Sequence, residues 1–519
     1  MADAREKPEE ILFAIVLLCL GVIGTAVVYY ATFWGVGFID WDSFNYIAVA
    51  RSLAEGRGFV YPVDPRTYAP LTNFPPMLSI VLAAFELVNI DAVSAARHLN
   101  AILFGLSTIL IGIALKRETR SPVFALLGAF LFLTSSTLIF YYSFALAEAL
   151  YLFFTLLGFI LLATYITDGK RYQLILTSVV LSLTIMTRYV GIANIFTALF
   201  VLLLYKKRGY LQTLLDLIIL GVISLAPFLL WMTRSYTTDP TGDTSLNPAG
   251  IQQVEYWFTG KQHYIIMFLT IYHTFNKYFL PEKIVVGYEK EQLLFILGLI
   301  VVLITVLLYF GLKKHGDVFY NIKSLARSFP TFIIYGIYFI IYFAVIIGVT
   351  MFGKPVMVER MILPSLLAGL IIIITGLSLT WLVKNRVVRI ATVLISIYLI
   401  IFSLSTSIKS VPGYHNQGLG LGRKSIQRSE SMLLLKEFSK SKTIYSNYPW
   451  ALYLHTGEIG YRINAFSPEV ASASNTVIAL FSYEAVHSPE FAHKYSEDLE
   501  LLASGRHISV YLFKPHVPE

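Results

Sequence analysis

Long apolar runs without charged side chains follow one another along most of this 519-residue chain. An uncharged apolar run of about 20 residues can cross the hydrocarbon core of a bilayer as a helix. Because every backbone polar group in lipid must find its hydrogen bond within the protein, such runs fold as a bundle of membrane-spanning helices. Hydrophobic residues make up 56% of the sequence and charged residues 14%, which excludes an ordinary soluble protein.

The first apolar run, residues 11–37, is longer than the hydrophobic region of a secretory signal peptide. Acidic residues such as Glu9 and Glu10 precede it, whereas a signal peptide begins with a basic segment. We therefore predict that the run is retained as a transmembrane helix. The single cysteine, Cys19, lies within it, so we expect neither an intrachain disulfide nor a cysteine-ligated zinc site.

The formal net charge of +8 is distributed over short loops between the apolar runs. Such a distribution sets membrane orientation, and it does not form the basic patch of a nucleic-acid-binding protein. Taking the Lys and Arg clusters as cytoplasmic predicts a plasma-membrane protein with a cytoplasmic amino terminus and about eleven spans. The predicted spans are residues 11–37, 92–115, 122–140, 144–166, 172–187, 190–205, 211–232, 292–312, 331–352, 361–383 and 390–408.

Two long external loops, residues 38–91 and 233–290, interrupt this alternation. In the first loop, we predict two helices, over residues 42–56 and 75–89, separated by Pro62, Pro65 and Pro70. The loop contains enough apolar residues to stay at the membrane surface. We therefore assign residues 1–410, with both loops, to one transmembrane domain.

The composition changes near Pro412, and the remaining residues 411–519 alternate between strand and helix patterns. This alternation predicts a small α/β domain on the extracytoplasmic side. The predicted elements are helices over 425–440 and 489–504 and strands over 443–447, 475–483 and 507–513. The predicted fold class is thus mostly α, a polytopic helical bundle followed by a small α/β domain.

An acidic pair, Asp40 and Asp42, emerges at the membrane surface where the first apolar run ends. A carboxylate in that position is suited to accept a proton from a substrate hydroxyl. Asp42 has an alternative interpretation as the N-cap of the predicted helix, and Asp40 as a structural residue. Their spacing also resembles a metal-binding pair, so a divalent cation is an alternative cofactor, and no other cofactor is expected.

Further polar side chains fall at the same predicted face, within or beside apolar spans. Charges there are costly, so they usually have partners or a function. The arginines have an alternative role as interfacial anchors, and the histidine as a packed interfacial residue. Together with Tyr46 of the first loop, the candidate residues are Arg97, His98, Glu148, Arg188, Lys354 and Arg360.

The order of these motifs resembles membrane glycosyltransferases of the GT-C class. The resemblance is nearest to the protein O-mannosyltransferase and lipid A aminoarabinose transferase group and covers about residues 10–400. Many relatives carry Asp-Glu in the first loop, whereas here Ser43 follows Asp42, which leaves both Asp40 and Asp42 as candidates for the catalytic position. The motifs are residues 42–59, which begin Asp42-Ser43-Phe44-Asn45-Tyr46, followed by Phe74-Pro75-Pro76, then Ala147-Glu148-Ala149-Leu150, Met186-Thr187-Arg188-Tyr189-Val190-Gly191 and Arg360-Met361-Ile362-Leu363-Pro364.

The resemblance implies a GT-C-like fold and a donor in which a sugar is carried on polyprenyl phosphate. It also implies inverting transfer to a hydroxyl of an acceptor protein, lipid or glycan, with Asp42 as general base. Two other hypotheses remain. A transporter or flippase of lipid-linked sugars would carry charges at several membrane depths, and a non-catalytic scaffold would leave Glu148 without a role.

Overall fold

The computed structural model describes residues 3–205, 209–238, 329–352, 359–383, 385–472, 475–482 and 488–514. The predicted span 292–312 and most of the predicted loop 233–290 lie outside these residues. In chain order the described helices up to residue 417 are α1 (Asp3–Ala31), α2 (Asp40–Ala54), α3 (Met77–Glu86), α4 (Ala92–Thr119), α5 (Pro122–Leu133), α6 (Ser136–Tyr142), α7 (Glu148–Asp168), α8 (Arg171–Thr187), α9 (Ile192–Leu204), α10 (Tyr210–Thr238), α11 (Pro330–Phe352), α12 (Leu363–Trp381) and α13 (Arg386–Gln417).

Seven of the described helices are long and apolar enough to cross a membrane, namely α1, α4, α7, α10, α11, α12 and α13. Helices α5 and α6 are bent by 56° and add an eighth span if the pair crosses as one unit. Helix α8 and the stretch that contains α9 are apolar but shorter. The chain is therefore an integral membrane protein with a helical membrane part. The count of eleven spans stays a prediction.

The chain forms two compact units. The second unit adds the first predicted external loop to the carboxyl-terminal residues, and the predicted division of the chain after residue 410 stays a prediction. The first unit comprises Met1–Val28, Ala101–Tyr142 and Ala147–Val411, and the second Tyr29–Asn100, Ser143–Leu146 and Pro412–Glu519.

Side-chain hydrogen bonds in the first unit join helix ends that the charge pattern assigns to one side of the membrane. Arg117, at the end of α4, donates to the Thr164 hydroxyl in the last turns of α7 at 2.6 Å. Tyr165 donates to the Asp216 carboxylate near the start of α10, also at 2.6 Å. These contacts agree with the predicted alternation of the spans. Which side faces the cytoplasm stays a prediction.

Glu118 caps the amino terminus of α11. Its Oε2 accepts a hydrogen bond from the Thr331 backbone N–H at 3.0 Å, and its Oε1 accepts one from Phe332 at 2.7 Å. The first N–H groups of a helix have no intrahelical acceptor, and a carboxylate there also interacts favourably with the helix dipole. The cap joins residues more than 200 positions apart in the chain.

We expect Glu118→Ala to destabilise the protein by about 1–3 kcal/mol, because a buried and a partly buried N–H group lose their acceptor. Thermal melting of the purified protein in detergent measures this as a lower transition temperature. Glu10→Ala is the matched control, since Glu10 forms only an exposed ion pair with Lys116 and such pairs contribute little. Equal shifts in the two variants would contradict the capping role.

The carboxyl-terminal part of the second unit contains a five-stranded mixed sheet with strand order β4-β3-β5-β7-β6. Strand β3 is parallel to β4 and β5, and β7 is antiparallel to β5 and β6. A separate antiparallel ribbon, β1 (Val60–Pro62) and β2 (Tyr68–Pro70), lies in the first loop. The sheet strands are β3 (Thr443–Ser446), β4 (Tyr461–Arg462), β5 (Thr476–Phe481), β6 (Leu499–Ser504) and β7 (Ile508–Phe513).

The three predicted strands of this region are confirmed as β3, β5 and β7, but the predicted helix over 489–504 is wrong in its second half. The helix ends at Lys494, and Leu499–Ser504 forms β6. The sequence of β6 has good helix formers, yet its backbone pairs antiparallel with β7 across a short turn. Pairing with a strand that follows in the chain therefore overrides the local helix propensity. The described residues of this region also form helices α14 (Lys424–Gln427), α15 (Glu430–Phe438), α16 (Pro449–Thr456), α17 (Pro468–Ser472) and α18 (Ser488–Lys494).

Within the second unit, α2 of the first loop packs against α16. The rings of Trp41 and Trp450 meet edge to face with centroids 5.4 Å apart. Phe44 and Tyr453 make a similar contact at 5.3 Å. Such aromatic pairs add to the free energy gained by burying their area. The acidic first loop is thus packed on the carboxyl-terminal domain.

Candidate functional site

In the first unit, the structure brings together two predicted site residues, Glu148 and Arg188. Glu148 is the first residue of α7 and is 3% exposed. Arg188 follows the last residue of α8, and its Nη1 donates to Glu148 Oε1 at 2.5 Å. A buried carboxylate is costly unless it is paired. Arg188 therefore supplies the partner that the lone acid Glu148 needs within an apolar helix.

The turn that carries Arg188 depends on Gly191. Residues Tyr189–Gly191 form one turn of 3-10 helix, and the Gly191 N–H donates to the Arg188 carbonyl at 2.8 Å. A Cβ atom at Gly191 would lie 2.6 Å from the backbone nitrogen of Ile185. Only glycine lets the turn approach α8 this closely.

We expect Gly191→Ala to lower stability by about 1–3 kcal/mol and to displace Arg188, because the clash is with backbone atoms. Thermal melting measures the first effect. Gly369→Ala, within α12, is the matched control: a Cβ there meets nothing within 4 Å. That change is expected to be neutral or slightly stabilising. A Gly191→Ala protein as stable as the control would refute the close-approach argument.

Tyr342 holds the turn that contains Arg360. Its hydroxyl donates to the Met361 carbonyl at 2.6 Å, in the 3-10 turn Glu359–Met361 that contains Arg360. Arg360 itself is half-buried. Lys354 lies outside the described residues, and its role stays a prediction.

A buried polar network continues from Glu148 into the first unit. The Tyr151 hydroxyl, one helical turn after Glu148, donates to Asn194 Oδ1 at 2.7 Å and lies 3.0 Å from the Tyr338 hydroxyl. Asn194 Nδ2 donates to the Thr155 hydroxyl at 2.9 Å. Sequence reasoning missed this network. Its detectable signal was Asn194, an amide in an apolar run, whereas nothing distinguished Tyr151 and Tyr338 from the rest of the 33 tyrosines in the chain.

In the second unit, the predicted loop helices are confirmed as α2 and α3, but the interpretation of Asp42 as an N-cap is wrong. Helix α2 begins at Asp40 after Ile39, so Asp42 lies in its first turn and is half-buried. Ser43 Oγ accepts the hydrogen bond of the Ile39 N–H at 2.9 Å. The structure describes the backbone of Asp40 but not its side chain. The choice between Asp40 and Asp42 therefore stays open.

Arg97 and His98 contact the end of α1. Arg97 Nε donates to the Thr32 hydroxyl and its Nη2 to the Tyr29 carbonyl, both at 3.2 Å. His98 Nδ1 lies 2.8 Å from the Tyr29 hydroxyl. These bonds tie the start of α4 to the end of α1. Substrate binding by either residue stays a prediction.

Tyr46 is largely buried on α2, where its ring packs edge to face on Phe74 at 5.5 Å. This contact joins two of the motifs on which the resemblance rests. The role of Tyr46 in substrate binding stays a prediction. Asp42 and Glu148 belong to different units, and their convergence in one pocket also stays a prediction. Within the described ranges, no group of three or more His, Cys, Asp or Glu side chains could hold a metal ion.

Comparison with solved structures finds the same fold in ArnT from Cupriavidus metallidurans. The crystal structure of ArnT with bound undecaprenyl phosphate has a TM-score of 0.56 and 11% sequence identity, and the match covers 97% of this chain and 98% of that one. Its apo form has a TM-score of 0.56 and 13% identity, with 98% of both chains covered. The oligosaccharyltransferase of Archaeoglobus fulgidus, tethered with an acceptor peptide, has a TM-score of 0.49 and 12% sequence identity. That match covers 93% of this chain and 68% of the other.

The class follows from this likeness: the chain is a polytopic membrane protein with the GT-C fold, which confirms the predicted resemblance. Within that class, residues 67–238, about a third of the chain, match the family of dolichyl-phosphate-mannose-protein mannosyltransferases. That stretch contains Arg97, His98, Glu148 and Arg188. A search of curated proteins finds no match.

Proposed function

We propose that the protein is a membrane glycosyltransferase that moves a hexose or pentose from polyprenyl phosphate to an acceptor hydroxyl at the extracytoplasmic face. The observation that carries this proposal is the buried ion pair of Glu148 and Arg188. The pair lies in the stretch that matches the mannosyltransferase family. ArnT, which shares the fold, binds undecaprenyl phosphate.

In the proposed reaction, the acceptor oxygen attacks the anomeric carbon from the face opposite the phosphate, so the configuration inverts. Asp42 takes the proton of that hydroxyl as the new carbon–oxygen bond forms. The bond between the anomeric carbon and the phosphate oxygen breaks, and the electron pair leaves with polyprenyl phosphate. Asp40 is the alternative base.

The leaving phosphate gains charge in the transition state, and preorganised cations stabilise it. Arg188, Arg360 and Lys354 are the proposed donors, since a guanidinium fork matches the oxygens of a phosphate. Glu148 holds Arg188 in place and orients the sugar or the acceptor. The remaining proposed substrate-binding residues are Arg97, His98 and Tyr46.

The acceptor is a protein, a lipid or a glycan, and the donor enters from the outer leaflet of the plasma membrane. In this orientation the amino terminus is cytoplasmic and the carboxyl-terminal domain extracytoplasmic. Both assignments rest on the Lys and Arg distribution. No nucleic acid takes part.

The test is mass spectrometry of the purified protein in lipid nanodiscs, incubated with a panel of polyprenyl-phosphate sugars and candidate acceptors. Release of free polyprenyl phosphate together with a glycosylated product supports the proposal. The same panel in sealed vesicles separates the alternative, because a flippase moves the intact donor between leaflets without breaking the glycosidic bond. Intact donor in every sample, with movement across the bilayer, would overturn the transferase.

A further inference from the structure

The Tyr151 hydroxyl lies where three helices of the first unit meet. Tyr151 belongs to α7, and its hydroxyl donates to Asn194 Oδ1 of α9 at 2.7 Å and lies 3.0 Å from the Tyr338 hydroxyl of α11. All three side chains are fully buried. The proposed reaction gives none of them a role, so their hydrogen bonds call for another explanation.

Stability alone does not explain why polar side chains occupy these positions. Burying them is costly unless their hydrogen bonds are made, and Asn194 Nδ2 therefore also donates to the Thr155 hydroxyl of α7 at 2.9 Å. Apolar side chains of the same shape can replace a hydrogen-bonded pair with little change in stability. A satisfied polar network adds what apolar packing lacks, because it fixes one particular arrangement of the helices.

On one side, the network fixes the two segments that carry the buried ion pair. Tyr151 lies one helical turn after Glu148 on α7. Asn194 lies in the first turn of α9, the helix that follows the turn after Arg188. The bonds between α7 and α9 therefore limit how far the backbone at Arg188 can move relative to Glu148.

On the other side, α11 connects the network to the turn that contains Arg360. Tyr338 and Tyr342 lie one turn apart on α11, both fully buried, with ring centroids 5.3 Å apart. The Tyr342 hydroxyl donates to the Met361 carbonyl at 2.6 Å, next to Arg360. One set of contacts, with the Tyr151 hydroxyl at its centre, thus holds the segments of both arginines.

We propose that Tyr151 is a positioning residue, whose hydroxyl keeps Arg188 and Arg360 at the spacing that lets both guanidinium groups bind one phosphate. This inference rests on the proposed function, in which the two arginines bind the leaving phosphate. Donors that stabilise a transition state must be in place before its charge develops, and their hydrogen bonds depend on geometry. Tyr151 therefore acts on transfer without touching the substrate.

The test is Tyr151→Phe, which removes the hydroxyl and keeps the ring. We expect KM for the polyprenyl-phosphate sugar to rise and kcat to fall, each about tenfold, because misplacing an oriented group by about 1 Å can cost about 10²-fold. Calorimetry with undecaprenyl phosphate as the probe is expected to show affinity weakened by a similar factor. Loss of folded protein alone would lower the apparent kcat and leave both KM and the affinity unchanged.

Tyr165→Phe is the matched control on the same helix. The Tyr165 hydroxyl donates to the Asp216 carboxylate at 2.6 Å, near the opposite end of α7. This variant also loses one buried hydrogen bond, and bonds to charged acceptors contribute more than neutral ones. Its melting temperature is therefore expected to fall at least as far as that of Tyr151→Phe. Its donor KM and its affinity for undecaprenyl phosphate are expected to equal those of the wild type.

Tyr342→Phe tests the same arrangement from the side of Arg360, and its donor KM is also expected to rise. If Tyr151→Phe does not fold, Tyr342→Phe decides in its place. A donor KM and a probe affinity equal to those of the wild type would overturn the positioning role, as would equal losses in Tyr165→Phe. A wild-type protein that transfers no sugar would overturn the proposed function and the positioning role with it.

Discussion

Asp42→Asn is expected to reduce sugar transfer by about 10³-fold or more while the protein stays folded and still binds the donor. Asparagine has the same size as aspartate and cannot accept the proton of the attacking hydroxyl. The measurement is the initial rate of polyprenyl-phosphate release at saturating donor. Donor binding, followed separately, shows that the loss lies in the chemical step.

Asp40→Asn is the matched control, two residues away on the same helix. We expect it to retain most of the activity. The reverse result, an inactive Asp40→Asn and an active Asp42→Asn, assigns the base to Asp40. Near wild-type rates in both variants would remove the acidic pair from the mechanism.

Loss of Arg188 is the second change with a large expected effect. Arg188→Gln leaves Glu148 buried without its cation, and breaking a buried ion pair in this way costs about 3–5 kcal/mol. We expect a much lower melting temperature and transfer reduced by about 10²-fold or more. Activity and melting are measured on the same preparation.

The double variant Glu148→Gln with Arg188→Gln separates stability from catalysis. Two neutral amides can hydrogen-bond to each other, so most of the lost stability is expected to return. Transfer is expected to stay low, because the leaving phosphate still lacks the guanidinium. If transfer returned together with stability, Arg188 would have only a structural role.

The sequence was sufficient to predict those helices and strands whose residue pattern lies within the element itself. Charge-free runs predicted the membrane helices, the prolines of the first loop predicted where α2 and α3 are separated, and alternation of strand and helix patterns predicted the central strands of the sheet. The pairing of Glu148 with Arg188 could have been predicted from the sequence. A lone acid in an apolar helix needs a partner, and few cations lay on its predicted side of the membrane.

Other features depend on partners that are distant in the sequence. In the sequence, Glu118 lies among the basic residues Lys116, Arg117 and Arg120. Nothing near it indicated that its carboxylate oxygens would cap α11. Strand β6 forms because β7 follows it, against its own helix propensity.

The packing of α2 on α16 has a consequence for attempts to divide the protein. A chain truncated after residue 410 would lack Trp450 and Tyr453, which pack on Trp41 and Phe44, and would leave these two rings with Tyr61 as their neighbour. The helix bearing the acidic pair would then lose its support, and shortened variants would be inactive even with every proposed catalytic side chain present. The last hundred or so residues thus support the acidic loop by packing against its helix.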